Sequence, residues 1–528
     1  MAEADTNRFW LIKITIYWNF AGILSYKIND FRKRGLIMKS KIIIIGGGIA
    51  GLSAGVFGQK YGFETEIFEM HSVPGGQCTA WERKGYLFDY CIQWLMGSSS
   101  GSMNTLWRQL GALSEDVPII NTEVFIRNVD KEGQEFLIYK DMQKWRAYLK
   151  SISPEDEEAI SRMFSIIDKL SLSGDLEEIM KPKPLRRTLP TLKILLRMLP
   201  AMIPMMKYGR KSFGQFIKEM GFKNEFLRHF LEMIYSDEKI FSAVAFLMML
   251  SLFKDNNAGY PVGGSLNFIL RILNEYQKLG GKLSVGKRVK KILIEDGKAI
   301  GVNLDDGTIH KSDYVIAACD LHTVIYDMLD SKYIPEDIKN AFENWPLFKS
   351  LVQVSFGIKK EIKEKQMMNN YLVSAKIGAT EIDSYSISNY SYDPAMAPKG
   401  KTTIILKFES PYEIWEHLEN NSYEKEKERI KEDAIMLLEK TYPGIKEFIE
   451  VVDVATPLTD IKYTGVYRAA YEGFMPTKSN MNKILNPIIK GLDNFMLAGQ
   501  WLFPGGGLPP SALSGKWAIE VFYEKEKS

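Results

Sequence analysis

Cysteine is scarce in this chain of 528 residues, which carries only Cys78, Cys91 and Cys319. The three show no paired metal-ligand spacing and are too few for a disulfide framework. That excludes a stapled secreted fold, gives no reason to expect a metal, and points to a reducing compartment, the cytoplasm. Excess charge of one sign is missing as well. With 68 Lys and Arg against 65 Asp and Glu, a net charge of +3, the chain lacks the electrostatic footprint of a nucleic-acid binder or of a protein with a strongly acidic partner. Nor does the chain open with an uninterrupted apolar run of bilayer length. Residues 9–24 are apolar, but Lys13 and Asn19 interrupt them, and they fall short of the ~20 residues a span needs. Glu3 and Asp5 stand where a signal peptide carries positive charge, and no small-residue cleavage site is evident. Residues 1–37 therefore read either as an interfacial helix held by Arg32, Lys33 and Arg34 or as an upstream extension of a chain whose working start is Met38.

What is present is a strand, a glycine turn and a helix in the order that binds a dinucleotide. Gly46, Gly48 and Gly51 follow the β-branched run Ile42-Ile-Ile-Ile45, and Glu69 closes a second strand-like run, Thr65-Glu-Ile-Phe-Glu69. The first glycine permits the tight turn, the second lets backbone N–H groups approach a pyrophosphate, and the third lets the helix sit close to the sheet. The helix N-terminus then faces the anion. A carboxylate at Glu69 suits a ribose diol and repels a 2′-phosphate, so the ligand is FAD or NAD rather than NADP.

The residues after Glu69 separate those two. Met70-His-Ser-Val-Pro-Gly75-Gly76-Gln77-Cys78, followed by Gly85-Tyr-Leu-Phe88-Asp89, resembles the phytoene desaturase, carotenoid isomerase and retinol saturase family of flavoproteins, and within it the saturase and isomerase branch. Tyr260-Pro-Val-Gly263-Gly264, Gly280-Gly281 before Val289, Thr456-Pro457, and Leu497-Ala-Gly499-Gln500-Trp501 through Gly507 to Ser514-Gly515 continue the resemblance to the other end of the chain. It implies FAD as cofactor, contacted by Gly46, Gly48, Ile49, Ala50, Gly51, Glu69, Met70, Gly75, Gly76, Gln77, Val289, Gly499, Gln500 and Leu508. The chain departs from the family where Gln77 replaces a common basic residue, Gln500 a common aspartate, and Cys91 and Gln93-Trp94 a common glycine and a nearby histidine.

The resemblance and the hydrophobic periodicity together imply an α/β fold: a split Rossmann-type FAD-binding domain (38–105, 261–330 and 485–528), a helical cap (106–260) and an inserted antiparallel-sheet substrate domain (331–484). Length allows two or three cores. No second glycine-rich strand-to-helix turn is read, because Tyr260-Pro-Val-Gly-Gly lacks a preceding strand and Gly505–Gly507 leads into two prolines. A single dinucleotide site follows, which leaves the electron donor or acceptor unassigned. Within the cap, Lys181, Lys183, Arg186, Arg187, Lys193, Arg197, Lys207, Arg210 and Lys211 alternate with leucine, isoleucine and methionine and with no acid. Such a stretch reads as a peripheral membrane contact or as a core-facing helix pair with a solvated basic side.

The family resemblance implies a hydrophobic polyene substrate of the carotenoid or retinoid kind, desaturated, saturated or isomerised at C–C double bonds with hydride transfer at the flavin. An amine oxidase-like flavoenzyme and a non-enzymatic prenyl-lipid carrier of the same fold are the other two readings. Gln93, Trp94 and Gln500 are liners of the expected pocket, and no catalytic residue is assigned. Cys78 and Cys91 are either a redox pair beside the flavin or buried unreacting thiols.

Overall fold

In a computed structural model, the structure describes residues 40–170, 181–185, 192–233, 239–253, 256–364 and 366–528. The extension read over residues 1–37, together with Arg186 and Arg187 of the basic stretch, lies outside them.

The nucleotide-binding sheet has five parallel strands in the order Lys282–Ser284, Glu64–Phe68, Lys41–Ile45, Tyr314–Ala317, Phe495–Leu497. Ile42, Ile43 and Ile44 are fully buried, as expected of a parallel sheet covered on both faces, where strands read as continuous β-branched runs. The helix Ile49–Lys60 packs against the last helix, Leu508–Lys527. A Cβ on Gly515 would overlap the carbonyl of Ala50, and Ser53 donates from its Oγ to the Ala512 carbonyl at 2.6 Å. The two ends of the described chain are thereby locked together.

The second sheet has seven strands, in the order Ile449–Ala455, Leu351–Ile358, Thr402–Glu409, Thr380–Asn389, Gln366–Ile377, Val124–Val129, Glu135–Tyr139. Alternation sorts its faces. Val352, Val354, Phe356, Ile404 and Leu406 join Ile430, Ala434 and Leu438 of the helix Asn420–Thr441 in one core, while Gln353, Ser355 and Lys407 are buried on the opposite side.

Three sequence expectations change. Segment 106–260 is helical in most of its described length, but it also contributes the hairpin Val124–Val129 and Glu135–Tyr139, which extends the seven-stranded sheet through a parallel pairing with Gln366–Ile377. Its signal is the alternation in Val124-Phe-Ile-Arg-Asn-Val129 and Glu135-Phe-Leu-Ile-Tyr139 around Gly133, outweighed by the helical periodicity that surrounds it. Residues 283–295 and 298–304, divided by the turn-forming Asp296-Gly297, read in sequence as a strand pair; the first run divides at Gly286, so that Lys282–Ser284 joins the parallel sheet and only Val289–Glu295 forms the hairpin with Lys298–Leu304. A strand does precede Gly263-Gly264, namely Ala258–Pro261, and the helix Gly264–Lys278 follows. That turn is nonetheless filled by protein. A Cβ on Gly263 would meet the Asn267 side chain and one on Gly264 the Asp89 carboxylate, and Asp89 accepts from Ser265 N at 2.6 Å at the helix start. A carboxylate of the protein itself occupies the place where a phosphate would sit.

Truncating the central strand tests the role of this buried sheet. Ile44→Ala is expected to lower stability by ~2–5 kcal/mol, read as a fall in the urea midpoint; an unchanged midpoint contradicts it.

Candidate functional site

Loops at the carboxyl ends of the parallel strands close on one cavity of about 540 Å³, far larger than a packing defect and typical of a small-molecule site. Its wall is built from Gly48, Ile49 and Ala50, then Gly75, Gly76 and Gln77, then residues 318–320, then residues 499–501 and 504–511. This is the switch-point location expected of a doubly wound sheet, where loops diverge to opposite faces.

The glycines divide the work. Gly46 has φ +98°, and a Cβ there would press on the Ala318 carbonyl at 2.9 Å. A Cβ on Gly51 would overlap the Gly46 carbonyl. Both are required by the protein's own packing. Gly48 differs: its backbone is extended, with φ −73° and ψ −175°, and the nearest atom to an added Cβ is Gly75 O at 3.8 Å. The space above it is open. The helix Ile49–Lys60 starts there with no side-chain cap and no acid in its first turn, so its free N–H groups and positive dipole end face the cavity. Leu508–Lys527 begins the same way at Gly507. Pro509 and Pro510 stand in its first turn, where a missing N–H costs no intrahelical bond. Among the described residues no Lys, Arg or His lines this cavity. An anion here is held by backbone N–H groups, and the open cradle at Gly48 fits the pyrophosphate of a dinucleotide.

Glu69 is buried and fastens the turn: Oε2 accepts from Gly47 N at 2.6 Å and Oε1 from His71 N at 2.8 Å. Burial outweighs these bonds and raises its carboxyl above the usual range. Each oxygen keeps a second acceptor site for a ribose hydroxyl. Met70 stands outside the main cavity, in a shallow depression with Gly286, Lys287 and Arg288, and Val289 is buried at the start of the adjoining strand. The other expected contacts, Gly75, Gly76, Gln77, Gly499, Gln500 and Leu508, share the main cavity with Gly48, Ile49 and Ala50.

Two departures from the family pattern meet each other. Gln500 Nε2 donates to Gln77 Oε1 at 3.0 Å, and Gln77 Nε2 donates to Asp460 Oδ2 at 2.8 Å. Where relatives often carry a base and an acid, this chain has a neutral amide pair, which removes two charges together. Burial pushes the Asp460 carboxyl up to about 6, although Gln77, Thr464 and Tyr90 all donate to it.

Cys78, Cys91, Gln93 and Trp94 also line the cavity, and neither cysteine is disulfide-bonded. Burial, then the neighbouring Cys91 thiol, raises Cys78 well above its ordinary value, so it is a poor thiolate and the unreacting reading fits. Behind Cys91, Lys407 donates to the Tyr90 carbonyl, and Asp89 accepts from Ser265 and from Cys91 N. Burial pushes Asp89 up to about 6 and Lys407 down to about 8. The far wall is apolar, with Leu170, Phe241, Ala245, Met248, Met249 and Leu252, while Val244, Phe246, Leu247 and Leu250 between them join the core. Sequence reasoning missed Asp320, Tyr471 and Glu472, which also line the cavity. None lies in a recognisable catalytic motif.

The signature of the flavin containing amine oxidoreductases matches residues 49–518. Curated relatives include prolycopene isomerase 2 of an Oncidium hybrid, 24% identical over 92% of this chain and 84% of that protein. A lycopene-forming phytoene desaturase of a Paracoccus species is 22% identical over 91% and 96%. All-trans-retinol 13,14-reductase of Danio rerio is 23% identical over 87% and 82%. Among solved structures, an oxidoreductase of Methanosarcina mazei aligns with a TM-score of 0.60 at 19% identity, over 91% of this chain and 100% of that one. Wild-type putrescine oxidase with bound putrescine aligns at 0.59 and 13% identity, over 92% and 99%.

The contrast among the glycines makes a prediction. Gly48→Val is expected to leave the melting temperature of the flavin-free protein within a degree or two of wild type, since neither backbone nor neighbours oppose it, yet to weaken flavin retention at least ~10-fold by filling the cradle. Flavin release on gel filtration measures this, and retention equal to wild type contradicts it.

Proposed function

The chain belongs to the flavin containing amine oxidoreductases and is an FAD-dependent oxidoreductase, and from that premise we propose that it desaturates, saturates or isomerises C–C double bonds of a hydrophobic polyene of the carotenoid or retinoid kind. The observation that carries this reading is the cavity wall: an apolar far side, no basic side chain among the described residues, and the uncapped helix ends at the near side. The names of the curated relatives, which concern prolycopene, phytoene and retinol, support the same substrate class.

When bound, FAD supplies the acceptor or donor of a hydride. The residues of this chain do the rest. Gly48, Gly75 and Gly76 would give the pyrophosphate room, Glu69 keeps the turn in place and would offer acceptors to the ribose, and the turn through Gly505–Gly507 forms part of the cavity wall. The apolar wall holds a polyene by burial alone and excludes water, so that orientation rather than charge pairing selects the reacting bond. An amine substrate is the second reading, favoured by the Glu472 carboxyl in the cavity and by the fold shared with putrescine oxidase. The open cradle at Gly48 supports a flavin enzyme over a flavin-free lipid carrier.

The test is to reduce the flavoprotein anaerobically and add a panel of polyenes. Reoxidation by one of them, with a product changed at a double bond, is expected. Flavin reduction by amines with hydrogen peroxide formed, and no reaction with any polyene, contradicts the proposal.

We propose further that the helix Leu192–Tyr208 rests on a membrane surface. Leu196, Leu199, Met202, Ile203 and Met206 are exposed on it, Ile203 at 68% and Met206 at 81%, at spacings that place them on one face. It packs on the helix Ala243–Ser251, whose Ala245, Met248 and Met249 line the cavity, so a single helix layer separates the stripe from the substrate pocket. Lys207 and Lys211 pair with Glu219, which tempers the basic character read from sequence and leaves the apolar stripe as the main support. No helix among the described residues is long and apolar enough to cross a membrane, so the contact is peripheral. Ile203→Glu with Met206→Glu is expected to reduce co-sedimentation with anionic vesicles at least ~10-fold while flavin content stays unchanged. Equal sedimentation of the variant overturns the contact.

A further inference from the structure

A polyene that gains or loses a double bond exchanges a proton as well as a hydride, and the family resemblance assigns no group to carry it. The cavity narrows the choice. Its ionisable liners among the described residues are Asp320, Glu472, Tyr471 and the thiols Cys78, Cys91 and Cys319. Asp320 is committed, since Oδ1 accepts from Thr323 N and Oδ2 from Tyr467 N, each at 2.9 Å. The Tyr471 hydroxyl donates to the Cys91 carbonyl at 3.2 Å and lies 3.4 Å from that of Tyr90. Burial raises all of Tyr471, Cys78 and Cys319, so none of the three supplies a ready base.

Glu472 stands apart. It precedes Gly473, whose carbonyl accepts from Phe348 N at 2.9 Å, and its own carbonyl lies so close to Gly506 that a Cβ there would overlap it. The backbone is therefore clamped against the glycine turn that leads into Leu508–Lys527. Its Oε1 lies 3.6 Å from the place a Gly507 Cβ would take, so the carboxyl lies against that turn and within the cavity. No donor bonds to it among the described residues.

We propose that Glu472 is the proton carrier for the double-bond chemistry, a reading that rests on the polyene function above. In desaturation its carboxylate takes the proton from the carbon next to the one that gives up a hydride, and the electron pair of that C–H bond becomes the new π bond. In saturation the carboxylic acid returns a proton to one alkene carbon while the other receives the hydride. Atoms and electrons balance in both directions, with FAD as the two-electron partner. Burial, unopposed by any bond, pushes the Glu472 carboxyl up to about 7, where both forms are populated near neutrality, as a group working in either direction requires. The groups around it add little to this. The Tyr471 phenol is its neighbour in sequence, Asp320 and the thiols share the cavity, and Lys407, which does not line the cavity, sits 6.0 Å from the Tyr471 ring centre. Since the carboxylate is the base and the acid is the donor, the desaturating half-reaction speeds up as pH rises through about 7 and the saturating one slows over the same interval.

The experiment compares wild type, Glu472→Gln and Glu472→Asp as flavoproteins with the polyene found active in the panel. For Glu472→Gln the account expects unchanged flavin content and polyene affinity, a half-reaction slowed at least ~100-fold, and loss of the pH dependence. Glu472→Asp, which keeps the carboxyl, recovers part of the rate and a pH profile. A readout free of turnover accompanies this: in the infrared difference between wild type and Glu472→Gln, a carboxylic-acid band disappears as pH rises through about 7. A wild-type rate and profile in Glu472→Gln overturns the assignment and leaves the polyene function standing. A Glu472→Gln protein whose only defect is loss of amine binding overturns the assignment as well. Failure of wild-type protein with every polyene overturns the function and the assignment together, and the infrared titration then reports the carboxyl without a reaction to serve.

Discussion

Two helices begin at this cavity without a side chain to cap them, and the rest of the site depends on that. Ile49–Lys60 starts at Gly48 and Leu508–Lys527 at Gly507, neither with a capping hydrogen bond or an acid in its first turn. Free N–H groups at a helix start are costly when buried without partners; Ile49–Lys60 presents a full first turn of them, whereas Pro509 and Pro510 leave Leu508 as the free donor in the first turn of the second helix, so an anion belongs at the first. The surrounding structure keeps the nearest carboxylate away from the first of these helix ends. Glu69 is held back by Gly47 and His71, while at the comparable turn after Ala258–Pro261 Asp89 fills the position itself. The difference between a nucleotide cradle and a merely structural glycine turn lies in which of the two has its carboxylate in place.

The same logic of charge runs through the rest of the cavity. Gln77 and Gln500 replace a frequent base and acid with a neutral hydrogen-bonded pair, and Asp89 and Lys407 are kept together behind the wall, each displaced toward its neutral form by burial. Among the described residues, what faces the interior is apolar or uncharged save for the carboxyls of Asp320 and Glu472, and Glu472 has no donor. An apolar substrate gains from the far side of such a surface, because Leu170, Phe241, Met248, Met249 and Leu252 carry no polar side-chain group that must be desolvated when the ligand enters.

Much of the fold was legible in sequence because its signals are local. Four consecutive isoleucines, a glycine triplet and an acid at the end of the next strand specify the first βαβ unit almost by themselves, and the strands of the second sheet alternate clearly. The hairpin Val124–Val129 with Glu135–Tyr139 was not legible, since its partner Gln366–Ile377 lies more than 200 residues away and its own short alternation sits among helical patterns. The site was legible where backbone makes it. Gly75, Gly76 and Gly499 adopt positive φ that glycine alone readily permits, and Gly48 stands out by its place in the glycine triplet. Glu472 was not, because it stands out as a cavity carboxyl with no donor among the described residues, and only three-dimensional packing brings it to that wall.

The account stands or falls on a flavin whose ring end lies in this dry, apolar space. Its most direct test is the visible spectrum of the protein as purified, with the flavin quantified after heat release. The account predicts close to one FAD per chain, with the resolved vibronic shoulders of a ring shielded from water; a colourless protein, or a flavin whose spectrum matches that of FAD in solution, contradicts it.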